Sequence, residues 1–318
     1  MSLSVCPACG KHAFEPLEFI DVTEQHKLYA PDDQEAQQSL TAAAAETALS
    51  YQMLKCNNCG LEFCEPLRAP SAEWYHLAYR AMDLYVFDRW EYYEVLRRIS
   101  HSEPVFEFGC GSGLFLSHCK EQGVPALGMD FSEDGVAGCV AKGLSARRLD
   151  LNEAPSPADS DLFLQMAAFH FLEHLDRPAA FFEHAAAKAL PLAHLWVSVP
   201  CDRRTSRRFE IRECLDQPPH HMTRWTTEAF REIGKRHGWR LLETFYEPLS
   251  MRTKLWWIAT QAPTYQRWKT QGRFKNKYIE RAFRAFVLPA TLVQWLLKDR
   301  RLTGHAILAH FRFDIHAN

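Results

Sequence analysis

Four cysteines stand in two matching units, CPACG with Cys6 and Cys9 and CNNCG with Cys56 and Cys59. Two thiolates from each unit can fill the four positions of one tetrahedral zinc ion, and the glycine after each pair relieves the tight turn. Four protein ligands leave no position for water or substrate, so the expected role of such an ion is structural. A second group is VFEFGCGSGLFL (Val105–Leu116), where glycines 109, 111 and 113 follow a strand-like apolar run. Glycine there lets a ligand approach the backbone, and the helix that follows offers free N–H groups. A third is QPPHHMTRWT, in which His220 and His221 are suited to moving a proton near neutrality. Just upstream, RRTSRRFEIR holds arginines 203, 204, 207, 208 and 212, whose planar forks match phosphate.

These residues need elements to position them. From 101 to 249, strand-length apolar runs alternate with helical stretches: VFEFGC, ALGMDF, LFLQMAAF and HLWVSVP each precede or close a helical segment. That alternation predicts a parallel sheet with helices on both faces, whose ligands sit at the carboxyl ends of the strands. WRLLETFYE and HAILAHFRF read as two further strands. The organisation expected is a cysteine-bearing zinc module over 1–70 and an aromatic helical linker or lid over 71–100. A sheet domain over 101–249 and 303–318 follows, interrupted by a basic, aromatic helical insertion over 250–302. Between Arg252 and Arg301 twelve basic residues face two acids, whereas the whole 318-residue chain carries a net charge of −2. Interleaved with those bases are Trp256, Trp257, Tyr265, Trp268, Phe274, Tyr278, Phe283, Phe286 and Trp295. Such a mixture suits an anionic membrane interface or RNA. The N-terminus lacks a basic, then apolar leader, and no apolar run reaches membrane-spanning length. A cytoplasmic location follows as the expectation, with contact at the inner face of the membrane through 252–301.

In order along the chain, the EFGCGSG loop, the acid closing GMDF, the LDLNEAP segment and FHFLEHLDRP resemble the motifs of class I S-adenosylmethionine-dependent methyltransferases. The resemblance implies a Rossmann-like α/β fold with a seven-stranded sheet whose last strand is antiparallel. It assigns cofactor binding to Glu107, Gly109, Cys110, Gly111, Gly113, Asp130, Phe131, Asp150, Leu151, Phe169 and His170. Asp130 would accept hydrogen bonds from both ribose hydroxyls, and Asp150 and Leu151 would meet the adenine. Leu164 stands where relatives usually carry an Asp at the start of the fourth strand.

The order of cysteine units, aromatic linker and methyltransferase motifs is similar to that of bacterial sugar and cell-surface polysaccharide methyltransferases. Those also carry segments like CNNCGLEFCEP and PPHH. This implies a sugar or glycan acceptor, phosphate-bearing if the arginine run grips it, with His220 or His221 as general base. The expected activity is O-methylation of a sugar hydroxyl, with C-methylation of a keto-sugar as the alternative. An RNA methyltransferase is a further reading, opposed by the long 46-residue gap between the cysteine units and the lack of a histidine ligand. A non-catalytic binding module is opposed by the intact glycines, Asp130 and the LEH segment.

Overall fold

Every residue of VFEF is buried, the pattern of a strand covered on both faces by helices. The computed structural model describes residues 5–81, 88–151, 161–205, 214–260, 262–270, 273, 276–298 and 302–314. Tyr85, Arg207, Arg208, Arg212, Phe274, Lys275, Asp299, Arg300 and Arg301 lie outside the described residues, as does the side chain of Trp295.

The strands form two sheets. The smaller contains β1 (Phe14–Asp21), β2 (Ser50–Cys56) and β3 (Glu62–Glu65), paired antiparallel. The larger begins with β4 (Val105–Phe108), β5 (Ala126–Asp130), β6 (Ala146–Arg148), β7 (Phe163–Phe169) and β8 (Ala189–Pro200). The short β9 (Thr223–Arg224) then returns to pair with β3 at the edge of the smaller sheet. β10 (Trp239–Tyr246) and β11 (Ala306–Phe313) complete the larger one.

The larger sheet has the order β10-β11-β8-β7-β4-β5-β6, in which the run β8-β7-β4-β5-β6 is parallel throughout. Glu247 N donates to Ala306 O and Asp314 N to Gly238 O, so β11 runs antiparallel to β10. The expected seven-stranded α/β sheet with a reversed last strand is therefore present. On one face Tyr92, Val95, Phe115, Phe169, Trp196 and Leu308 form a continuous core. Rings of Phe106, Phe108, Phe181, Phe182 and Phe311 pack edge to face elsewhere in the domain. The ends of β4, β5 and β7 deliver the glycine loop, Asp130 and His170 to the same edge of the sheet.

The Ala/Gln-rich interior of the N-terminal region folds into the helix Gln34–Ala45, capped by Asp33, whose carboxylate accepts from Ala36 N. Its buried Leu40, Ala43 and Ala44 pack with Tyr29, Tyr51 and Trp74. Within that core, Trp74 Nε1 donates to His26 Nε2, and the other nitrogen of His26 bonds Thr41 Oγ1 at 2.9 Å.

Chain contacts divide the protein into two units, the second comprising residues 203–212 and 246–306. The second unit holds the helices Met251–Thr260, Pro263–Thr270 and Lys277–Lys298, around Ala259, Ala262, Tyr265 and Val287. Tyr265 donates to Glu280. Phe286 and Tyr278 stay 81% and 70% exposed, which leaves large rings on a basic surface. Among the described residues no helix is long and apolar enough to cross a membrane.

Candidate active site and cysteine centre

The two cysteine units fold alike. Gly10 N donates to Cys6 O and Gly60 N to Cys56 O, both at 2.9 Å, and both glycines have φ of +72°. Cys6 and Cys9 come from the first turn, Cys56 and Cys59 from the turn after β2, and all four are buried with their sulfurs within 4.8 Å of one another. Cys6 Sγ is 3.6 Å from Cys59 Sγ and Cys9 Sγ 3.5 Å from Cys56 Sγ. A zinc tetrahedron with bonds of about 2.3 Å has an edge of about 3.8 Å, so the donor set fits that ion. The sequence gap between the units is taken up by β1, two helices and β2, which bring the second unit back beside the first.

The glycine loop leaves β4 and enters the helix Leu114–Glu121, with Gly113 as a left-handed cap. At Gly109, where φ is +70°, a Cβ would lie 2.3 Å from the Phe171 ring, so this close approach requires glycine. A Cβ at Gly111 would meet no protein atom, so the backbone there faces open space. Asp130 Oδ2 accepts from Gly111 N at 2.7 Å and Oδ1 from Ser132 N at 2.8 Å. The carboxylate thereby clasps the loop, and each oxygen keeps a lone pair for a ligand hydroxyl. Phe131 stands 48% exposed beside it. Asp150 and Leu151 follow β6, which is tied to the same place by Leu149 N donating to Asp130 O. Cys110 turns its side chain inward, onto Leu116, Cys139 and Leu144. Glu107 lies buried beneath the loop, where burial, with the Asp130 charge added, raises its pKa well above the carboxylate range.

Beyond β7 the short turn Leu172–His174 carries the LEH segment. Phe169 packs in the core against Tyr92 and Phe115, at ring separations of 4.9 and 4.8 Å. His170 adopts φ of +48° and places Nε2 2.9 Å from Glu91 Oε1 and Nδ1 3.1 Å from Glu173 Oε1. Burial opposes its charge, but the bonds to Glu173 and Glu91 outweigh it and raise its pKa. Burial likewise opposes the Glu173 charge, yet His170 holds that carboxyl at about 2. His170 thus ties the helix Trp90–Leu96 to the turn after β7.

His174, His220 and His221 form a compact cluster, with ring centres 4.6 to 4.9 Å apart. His174 Nδ1 donates to His220 O at 2.8 Å, and His220 Nδ1 to Leu215 O at 2.9 Å. Burial pushes the three imidazoles down to about 4, 3 and 4, with repulsion among them adding to it, so all are uncharged at neutral pH. Tyr75 and Tyr79 cover the cluster, their rings 6.0 and 5.8 Å from His220. Burial raises the pKa of the Tyr79 hydroxyl, and the charges of Glu173 and Asp130 add to the shift.

The histidine loop and the cysteine centre are physically continuous. Met222 N donates to Glu173 O, Cys64 N donates to Met222 O, and β9 then pairs with β3. Thr226 Oγ1 donates to Cys59 O, and Arg236 Nη1 to Ala8 O. Buried Arg224 joins Asp216, Glu62 and Glu18 at 3.0, 3.1 and 3.4 Å.

A family profile described as a methyltransferase domain matches residues 77–244. The chain belongs to this methyltransferase family. As class I enzymes, its members take S-adenosylmethionine as methyl donor, and in this methyltransferase the glycine loop and Asp130 stand where that cofactor is expected. No curated protein matches the chain. Among solved structures it is similar to an S-adenosylmethionine-dependent methyltransferase from Archaeoglobus fulgidus, at 20% identity over 70% of this chain and 92% of that one, with a TM-score of 0.46. It is also similar to a methyltransferase from Bacillus halodurans, at 14% identity over 70% and 99%, with a TM-score of 0.45.

The structure of this methyltransferase brings Glu107, the glycine loop, Asp130, Phe131, Asp150 and Leu151 to the ends of β4, β5 and β6, while His220 and His221 pack on the turn after β7. Phe169 and His170 instead engage protein partners. Sequence reasoning missed Glu91, Glu173, Tyr75 and Tyr79. A buried acid in an otherwise aromatic helix, Glu91 in WEYYEVL, was the one available signal for that group.

Proposed function

We propose that this methyltransferase transfers a methyl group to a hydroxyl of a sugar in a cell-surface polysaccharide, or in its nucleotide- or lipid-linked precursor. The observation that supports this most is the uncharged imidazole cluster beside Tyr75 and Tyr79, packed on the turn that follows β7. Bound S-adenosylmethionine supplies an electrophilic methyl group. Asp130 holds the ribose hydroxyls, Gly111 admits the ligand backbone-close, and Glu107 stays protonated beneath the loop. The tyrosine faces orient an acceptor ring, and His220 or His221 accepts the hydrogen bond of its hydroxyl. A neutral hydroxyl that gains a methyl group becomes a far stronger acid than an imidazolium titrating near 4. So weakly basic histidines suffice, with the proton leaving late. Zinc at Cys6, Cys9, Cys56 and Cys59 would act structurally by fixing β3, and through it β9 and the histidine loop.

In the same reading, the second unit holds the enzyme at an anionic membrane where lipid-linked acceptors reside. Its excess of bases and exposed Phe286 and Tyr278 complement such a surface. The protein should sediment with vesicles containing anionic lipid and not with neutral ones; equal binding to both contradicts the electrostatic part. The acceptor class is tested by labelled methyl transfer into fractionated cell extract, where label in RNA would replace the sugar reading.

A further inference from the structure

We propose that His174, His220 and His221 form a second metal site, selective for a first-row divalent cation and separate from the cysteine centre. One ring nitrogen of each histidine lies within 4.8 Å of the others. Three imidazoles on a tetrahedral ion need separations of about 3.3 Å, set by metal–nitrogen bonds of about 2.0–2.1 Å, so small side-chain adjustments would close the set.

Hydrogen bonding prepares the donors. Backbone carbonyls only accept, so the contacts to His220 O and Leu215 O fix the hydrogens of His174 and His220 on Nδ1. Their lone pairs are left on Nε2. His221 Nδ1 lies 3.6 Å from Asp216 Oδ1, beyond hydrogen-bond length. His174 and His220 thus have the outer pattern of metal-binding histidines, in which the second nitrogen is oriented by a carbonyl or carboxylate. Among the buried atoms that lack a hydrogen-bond partner within the described residues are His220 Nε2 and His221 Nδ1 of this cluster, and Oε2 of Glu173. A buried imine nitrogen left without a donor is costly unless something positive meets it. Glu173 Oε1 is already taken by His170, and its charge is felt by all three clustered histidines. Imidazole donors favour zinc, cobalt, nickel or iron over magnesium or calcium.

Metal binding here stands independently of the acceptor. Its use rests on the proposed function, with the ion in place of a free imidazole base: it would hold the acceptor oxygen and make its proton more acidic, His220 and His221 then serving as ligands. The test is a cobalt titration of the full-length protein after saturation with zinc and brief treatment with a chelator. The cysteine centre is expected to retain its ion, and added cobalt to fill one further site per chain. Its visible bands should be those of nitrogen and oxygen ligands, with no thiolate charge-transfer band. Total metal should reach two ions per chain, falling to one in His174→Gln/His221→Gln while S-adenosylmethionine binding persists. If that variant fails to fold, the wild-type titration alone decides. Cobalt that enters only with thiolate bands, or a chain that saturates with metal at the cysteines alone, overturns the second site. Neither result depends on methyl transfer, so a wrong acceptor assignment would leave it intact.

Discussion

Asp130 and His221 do separable work. The Asp130 carboxylate accepts from Gly111 N and Ser132 N and presents its remaining lone pairs to a ligand. Asp130→Ala should weaken S-adenosylmethionine binding by about 10- to 100-fold, the worth of hydrogen bonds to a charged group. His221→Ala should leave that affinity intact and lower turnover by about 100-fold or more if its imidazole takes the proton. Calorimetry for the cofactor and initial rates for turnover separate the two; a loss of cofactor affinity in both variants would contradict the division. The glycine loop and Asp130 were legible because each sits directly at the end of an apolar strand. The clasp of Glu91, His170 and Glu173 was not. Glu91 and His170 are 79 residues apart, and only tertiary folding buries two ordinary acids on one histidine.

At the scale of elements, β9 is the link that sequence patterning could not supply. Two residues, Thr223 and Arg224, carry no alternation, yet they extend the cysteine-bearing sheet and fix the preceding histidines. β6, the strand ARR, escaped notice for a related reason: it is a three-residue edge strand with two exposed arginines. The cysteine pairs were legible despite the 46 residues between them, because the matching CxxCG units announce one another. Cys6→Ser/Cys9→Ser should release zinc and lower the melting temperature. It should also reduce turnover more than cofactor affinity, since β3 no longer holds β9 in place. Elemental analysis with parallel melting and binding measurements checks this, and an unchanged metal content would remove zinc from the account.

For the molecule as a whole, acid sensitivity has a definable source in the N-terminal core. Burial holds His26 at about 4, against an ordinary 6.5, while Trp74 and Thr41 satisfy its neutral ring. The unfolded chain therefore takes up this proton first as pH falls. The contribution to stability is fully present above about 6.5 and is lost as pH drops toward 4. His26→Gln should melt with a shallower pH dependence between 7 and about 4.5 than wild type; parallel curves would assign the acid sensitivity elsewhere. The parallel sheet followed from the alternation of strands and helices, its seven strands and reversed last strand from the family resemblance, and the charge imbalance of the segment between Arg252 and Arg301 from counting alone.

The central claim is methyl transfer to a sugar oxygen. Its most direct test is to incubate the protein with S-adenosylmethionine carrying a carbon-13 methyl group and a cell extract, then examine the glycan and lipid-linked sugar fractions by NMR. The account predicts a methoxy carbon in one of these fractions, absent with Asp130→Ala. Label carried instead by RNA or protein, or a methyl bound to carbon, would contradict it.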